Sequence, residues 1–130
     1  MANWSGWWEQ LGYGRQKMQD LVLEVDPIGM VTGEGEDCIG PFTFCGRFRL
    51  DGSVSLVKQY LGRHRVYYEG ANSGEGIIGM WHIPAFGRGK FALRPGAENS
   101  AQRDQIERLV AVASHECLQP RQPQHNFMLR

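Results

Sequence analysis

The charged side chains with the clearest chemical potential form a small group in the first half of the chain. Glu34 and Glu36 share one strand parity in a glycine-rich segment and are followed by Asp37, which would suit a cation site or an acid–base pair. A solvated strand face is the simpler interpretation, because carboxylates are rarely fully buried. Lys58 interrupts an apolar face. If it points inward, we expect it to pair with Glu34 or Glu36 or to hold the polar end of a ligand; a lysine reaching out to water at the end of the sheet is the alternative.

Histidine and cysteine show no comparable pattern. His115, Cys117 and His125 are side chains that zinc accepts, but their spacing specifies no fourth ligand, so we predict no metal site. No serine or cysteine has a base at a spacing that would activate it, and no glycine loop leads into a helix to bind phosphate. A role for Glu36 or Asp37 as a catalytic base is the least favoured hypothesis. The sequence therefore gives no positive sign of enzymatic activity, of catalytic residues or of a cofactor.

The elements that must position these side chains are short strands. Between Trp4 and Leu93 apolar and polar residues alternate in eight segments, spaced by roughly 8–12 residues and joined by hairpin-length links such as Asp51-Gly52. Such a meander predicts an all-β fold, an antiparallel up-and-down eight-stranded barrel whose closure removes the sheet edges; a half-open sandwich is the alternative. The inward faces are expected to include Gln19, Leu21, Leu23 and Val25; Phe42, Phe44, Phe48 and Leu50; Val54, Leu56, Lys58 and Tyr60; and Ile77, Gly79, Trp81 and Ile83.

The chain beyond Pro95-Gly96 has a different pattern. Ile106, Leu109, Val110 and Ala113 recur at helical spacing. We predict a barrel over residues 1–96, and over residues 97–130 one amphipathic C-terminal helix and an extended tail packed on the same domain. The apolar stripe of this helix would cover the barrel or form a homodimer.

Composition limits the partners. Lys and Arg total 14, as do Asp and Glu, and a nucleic-acid binder usually has a basic excess, so we expect no nucleic acid. No apolar run approaches the ~20 residues that cross a bilayer, so we expect no membrane partner.

Three cysteines cannot all pair with one another. Because no signal peptide is visible either, a reducing, cytoplasmic location is the simplest prediction, with a Cys38–Cys45 disulfide as the alternative.

Several short motifs resemble those of known small barrels. They are Trp4-Ser5-Gly6-Trp7-Trp8, Gly33-Glu34-Gly35 and Gly79-Met80-Trp81, and in style and spacing residues 3–94 look like the calycin group, which includes lipocalins, fatty-acid-binding proteins and avidin-like proteins. The resemblance implies binding of a small, mostly apolar molecule inside the barrel.

A ligand site can be predicted on this basis. Trp8, Phe44, Tyr60 and Trp81 would line a cavity, and Lys58 with Glu34 or Glu36 would orient the polar end of a partly apolar ligand. Glycines favour residual space, whereas the large aromatic side chains favour a filled interior; the glycines concerned are Gly6, Gly33, Gly35, Gly46 and Gly79. A structural or protein-interaction module with a filled core and no ligand is therefore the alternative.

Overall fold

The strands of the protein form one antiparallel sheet that closes on itself. The computed structural model describes residues 2–96, and in that span the strands are β1 Ala2–Gln10, β2 Gly14–Lys17, β3 Gln19–Val25, β4 Met30–Glu36, β5 Pro41–Phe48, β6 Ser53–Tyr60, β7 Arg65–Asn72, β8 Ile77–Ile83 and β9 Gly87–Pro95. Consecutive strands pair from β3 to β9, and β1 pairs with β9. The predicted up-and-down barrel is therefore confirmed, and the half-open sandwich is not formed.

Segments β2 and β3 are two parts of one barrel strand. Both pair with β1, β2 along its second half and β3 at its start. Between them the Met18 amide donates to the Gly6 carbonyl at 2.9 Å, and Asp20 has a positive φ of 52°. This bulge inserts a residue and shifts the parity. Gln19, predicted to face inward, is therefore exposed, and Met18 is buried in its place.

The barrel closes through a long register between its first and last strands. Trp4 lies opposite Pro95 and Trp8 opposite Phe91. Because each side of β1 is then paired, the sheet leaves no free edge along this strand.

The interior is continuous and apolar over most of its length. Buried side chains alternate along the barrel strands, as in β6, where Val54, Leu56, Lys58 and Tyr60 all face inward. Leu50 departs from the prediction, because β5 ends at Phe48 and Leu50 lies exposed in the following turn.

The strand glycines do not leave empty space. A side chain at Gly6 would collide with Leu93, and one at Gly35 would press on Phe42. At Gly46 and Gly79 a side chain would strike the backbone of the neighbouring strand. The expectation that these glycines create residual volume is therefore wrong: they permit close packing.

The turns define two ends of the barrel, because alternate hairpins lie on the same side of an up-and-down sheet. We call the end with residues 11–13, 37–40, 61–64 and 84–86 the Asp37 end. The end with residues 26–29, 49–52 and 73–76 is the far end.

The predicted C-terminal helix and tail, residues 97–130, lie outside the described residues. Within residues 2–96 no helix has the length and apolarity needed to cross a membrane.

Candidate ligand site at the Asp37 end of the barrel

Lys58 is the charged side chain that the barrel encloses most completely. It lies near the end of β6, between Leu56 and Tyr60 on the inward face, and its exposed fraction is 0 %. Of the two alternatives that the sequence left open for Lys58, the inward-pointing side chain is the one that the structure shows. A buried ammonium group needs a partner, because removing a charge from water is costly.

That partner is Asp37. Lys58 Nζ donates to Asp37 Oδ2 at 2.7 Å. The Tyr60 hydroxyl donates to the same oxygen at 2.7 Å, and Trp8 Nε1 donates to it at 3.1 Å. The Ile39 amide donates to Asp37 Oδ1 at 3.0 Å. Four donors from two strands, β1 and β6, and one turn thus converge on a single carboxylate.

The turn after β4 holds Asp37 in place. The Asp37 amide and carbonyl exchange hydrogen bonds with Gly40 at 3.2 and 3.1 Å. The Ile39 contact, two residues on, is the pattern by which aspartate stabilises a turn. Asp37 therefore reaches into the barrel from a short, hydrogen-bonded turn.

Glu34 and Glu36 do not take part in this network. Both are exposed on the outer face, where with Asp20 they line a shallow hollow. The predicted pairing of either glutamate with Lys58 is corrected by the Asp37 contact. Strand parity is the reason: Gly33 and Gly35 take the inward positions of β4, and the chain turns inward one residue after Glu36.

Aromatic rings surround the Lys58 ammonium group. Its nitrogen lies 4.3 Å from the Phe42 ring centroid and 4.8 Å from that of Tyr60. Rings at such distances attract a cation through their quadrupole. Lys58 Nζ also donates to the Tyr68 hydroxyl at 3.2 Å.

The pKa values follow from this burial. Burial lowers the pKa of Lys58 to about 8, against the opposing pull of the Asp37 carboxylate. Burial alone would raise the pKa of Asp37, but the charge of Lys58 and the hydrogen bonds from Lys58, Tyr60 and Ile39 hold it below its ordinary value. A catalytic base working near neutral pH would need the opposite, a raised carboxylate pKa. Burial, with help from Asp37, raises the pKa of Tyr60 and of Tyr68.

The Tyr68 hydroxyl group is only partly satisfied by hydrogen bonds within residues 2–96. The Tyr68 hydroxyl accepts from Lys58, and among the residues that the structure describes its own proton has no acceptor. A buried hydroxyl ordinarily uses both its donor and its acceptor capacity. The site can therefore receive one further hydrogen-bond acceptor at Tyr68.

A small cavity that Tyr68 helps to line lies at the Asp37 end. Its volume is about 50 Å³, and its lining includes Trp8, Tyr60, Tyr68 and Trp81. We call it the aromatic cup. The predicted lining residues Trp8, Tyr60 and Trp81 are thus brought together. Phe44 and Lys58 are fully buried and do not line it.

Trp81 is fixed at the wall of the aromatic cup. Its indole Nε1 donates to the Glu9 carbonyl at 2.9 Å, and its ring meets Trp8 edge-on with centroids 6.0 Å apart. Gly89 lies against the indole, and any side chain there would collide with it. The cup wall is therefore rigid, which suits a preformed site.

A larger hollow of about 500 Å³ lies on the outer wall across β5 to β8. Polar groups along it already bond to one another, since Arg49 Nη1 donates to Ser55 Oγ and that hydroxyl to Glu69 Oε1, each at 2.7 Å. We favour the smaller cup as the ligand site, because its lining includes Tyr68, whose buried hydroxyl has no acceptor among residues 2–96.

No three histidine, cysteine or acidic side chains within residues 2–96 converge so that they could hold a metal ion. His115, Cys117 and His125 lie outside that range. Cys38 and Cys45 are exposed free thiols, so the alternative Cys38–Cys45 disulfide is not formed.

Comparisons with protein-family models, with curated proteins and with solved structures find no match to this chain. The case for a function therefore depends on the geometry of the barrel itself.

Sequence reasoning did not assign the two groups that complete the site. Asp37 was grouped with the exposed glutamates, although its position between the end of a strand and Gly40 is a turn signal. The contact between Tyr68 and Lys58 depends on the register between β6 and β7, which alternation along the sequence does not indicate.

Proposed function

We propose that the protein is a small-molecule binding barrel, calycin-like in style, that takes a partly apolar ligand at the aromatic cup. The observation that carries the proposal is that Tyr68, whose hydroxyl proton has no acceptor among residues 2–96, lines an aromatic cavity. A ligand with an acceptor oxygen would satisfy that proton, and its apolar part would pack on Trp8 and Trp81.

The charge balance of the site favours a neutral head group. Lys58 and Asp37 neutralise each other at 2.7 Å. A second carboxylate would be held close to Asp37 in a poorly screened interior, where like charges repel strongly. A ketone, an amide or an alcohol carries the required acceptor without that penalty.

The size of the cup limits how much of the ligand it encloses. A volume of about 50 Å³ exceeds the share of one liquid water, about 30 Å³, but is well below the roughly 300–1,000 Å³ of sites that enclose whole ligands. The head group would occupy the cup, and the apolar remainder would extend out of the barrel between the turns of the Asp37 end.

A cytoplasmic location is part of this proposal. It is supported by the exposed free thiols of Cys38 and Cys45, which a reducing compartment keeps unpaired.

The experiment compares three probes of one shape: cyclohexanone, cyclohexanecarboxylate and methylcyclohexane. We expect saturable quenching of tryptophan fluorescence by cyclohexanone, with much weaker effects from the other two. Tyr68→Phe should weaken cyclohexanone binding about tenfold, the size of one lost hydrogen bond in a buried site. Tyr67→Phe is the matched control, since Tyr67 stacks on His82 at 5.5 Å on the outer face. Absence of saturation, or an equal response of both variants, would refute binding at the cup.

A filled interior favours the second candidate, a structural or protein-interaction module. Nineteen apolar side chains form one continuous core, leaving little volume for a ligand. Function would then reside on the surface or in residues 97–130, including a homodimer through the predicted helix. Sedimentation of the full chain against a chain ending at Gly96 tests this: a dimer only with the longer chain supports it, and two identical monomers count against it.

A further inference from the structure

The outer wall of the barrel carries a row of apolar side chains across four neighbouring strands. Its members face outward and lie opposite one another in the register of β1, β9, β8 and β7; with Met80 beside them they form what we call the outer stripe, namely Trp7, Ala92, Ile78, Ala71 and Met80. Ile78 is 54 % exposed and Met80 44 % exposed. Trp7 is half-buried, and the Arg15 guanidinium group stacks on its ring at 3.6 Å.

The outward positions on the opposite wall are mostly polar. On β5 and β6 they include Thr43, Arg47, Ser55 and Gln59. An antiparallel sheet that faces water on one side is expected to carry polar residues there. Single exposed apolar residues are common, but a continuous row of them across four strands indicates a surface that another segment or molecule covers.

The chain leaves the barrel on a strand that carries part of this stripe. β9 runs from Gly87 at the Asp37 end to Pro95 at the far end, and the Gly96 amide donates to the Asn3 carbonyl at 2.9 Å. Ala92 lies three residues before Pro95, which is about 10 Å along a strand. Residues 97–105 can span up to about 30 Å, so the chain after Gly96 is long enough to return to the outer stripe.

The segment that follows, which lies outside the described residues, is the one for which the sequence predicts an amphipathic helix. Its apolar positions fall on one helical face and are Ile106, Leu109, Val110, Ala113 and Cys117. From the first to the last of them a helix extends about 17 Å. Four adjacent strands are about 14 Å across, so the apolar face of the helix and the outer stripe are similar in length.

We propose that the outer stripe is the docking surface of the C-terminal helix of the same chain, with the apolar face of the helix laid on Ile78, Met80 and Ala92. Helices in proteins gain most of their stability by packing an amphipathic face against such a surface. The contact would remove both the exposed stripe and the apolar helical face from water. The inference goes beyond ligand binding at the aromatic cup and does not depend on it.

The tether and the charges favour this occupant over others. A segment joined by a short linker is present at an effective concentration in the millimolar range, which favours it over a second copy of the chain at micromolar concentration. Glu69 and Lys90 lie on either side of Met80. Because these two charges have opposite signs, the surface beside the stripe lacks the basic excess that anionic lipid or nucleic acid would select.

Cys117 provides a natural probe of the contact, because it is the last apolar position of the predicted helical face. The experiment alkylates the full chain with N-ethylmaleimide and follows each thiol by mass spectrometry of its peptide. Each rate is divided by the rate of the same thiol in urea. We expect Cys117 to be protected at least about tenfold more than Cys45, since a docked thiol reacts only when the contact opens. Cys45 is the internal reference, because its thiol is free and exposed.

Double variants locate the contact on the barrel. Ile78→Ser with Met80→Ser should raise the alkylation rate of Cys117 about tenfold, since burying each apolar side chain contributes on the order of one power of ten. Ile28→Ser with Leu50→Ser is the matched control: it removes exposed apolar residues from the turns of the far end and should leave the rate unchanged.

A second pair of variants tests the predicted helix. Leu109→Ser alters its apolar face and should also expose Cys117. Val112→Ser makes a comparable change away from that face and should have little effect. Circular dichroism of every variant distinguishes unfolding of the barrel from loss of docking.

Three results would overturn the proposal. The first is a Cys117 that reacts as freely as Cys45 in the parent chain. The second is an equal loss of protection in the two serine pairs of the barrel. The third is protection that increases with protein concentration together with a dimer in analytical ultracentrifugation, which would assign the outer stripe to a second copy of the chain.

Discussion

Toward the Asp37 end, the barrel interior holds a lysine, an aspartate and two tyrosine hydroxyls in one hydrogen-bonded network, whereas toward the far end it holds Val25, Val31, Phe48 and Val54. The side chains of both halves are buried. Replacing a buried ion pair by apolar side chains of similar volume is often neutral or stabilising, so the network is not needed simply to fill the barrel. In the proposed function, the half of the interior beside the aromatic cup serves recognition and the other half serves stability.

Removing one member of the Asp37–Lys58 network should lower the free energy of unfolding more than removing an apolar side chain from the other half of the interior. Asp37→Ala leaves a buried ammonium group and two donors, Tyr60 and Trp8, without their acceptor. We expect the free energy of unfolding to fall by about 3–5 kcal/mol, the usual cost of breaking a buried pair. Urea denaturation measures it. Glu36 is an exposed neighbour, and Glu36→Ala should change stability by no more than about 0.5 kcal/mol. Similar losses of stability in the Asp37→Ala and Glu36→Ala variants would contradict the stabilising role of the buried Asp37 contacts.

The apolar half should respond only through lost packing. Leu23 is fully buried, and Leu23→Ala should cost about 3 kcal/mol through the cavity it leaves. The decisive difference is the pH dependence: this loss should be the same at pH 5 and pH 9, because Leu23 is an uncharged member of the apolar core and takes no part in the Asp37–Lys58 network.

Lys58 should give the polar half a distinctive alkaline profile. Its pKa is about 8 in the folded protein and about 10.4 in an unfolded chain. Between these values the unfolded chain binds more protons, so stability should rise with pH from about 8 to about 10, by at most about 1.4 kcal/mol per unit. Above about 10 the raised pKa values of Tyr60 and Tyr68 act in the opposite direction. Lys58→Met should abolish the rise, and a rise that persists in this variant would assign it to other groups.

The smallest effect is expected at Trp4. Its indole nitrogen is buried with no hydrogen-bond partner among residues 2–96. Trp4→Phe removes this uncompensated donor, which offsets the packing lost with the larger ring, so stability should change by less than about 1 kcal/mol. Thermal unfolding followed by circular dichroism measures this change in stability. Trp81→Phe, which breaks the bond to the Glu9 carbonyl, should cost more.

Sequence patterns predicted those parts of the fold that depend on alternation alone. In β6 every second residue is apolar except Lys58. That exception indicated the position of the hydrogen-bonded network in which Lys58 takes part. Patterns could not reveal the bulge at Asp20, because it is a backbone irregularity that only pairing with β4 exposes. Sequence reasoning missed the role of Asp37 for a similar reason. Asp37 lies in the turn after β4, where strand alternation no longer indicates the direction of a side chain.

The ladder between β1 and β9 has a consequence for how the molecule is made. During synthesis β1 emerges first, and its partner from Gly87 to Pro95 emerges last of the described strands. Until then the nascent sheet can form hairpins but cannot close, and it exposes two unpaired edges that invite association with other chains. Pairing of such distant segments is also slow. The ribosome-bound chain is therefore prone to association with other chains until β9 has left the ribosome.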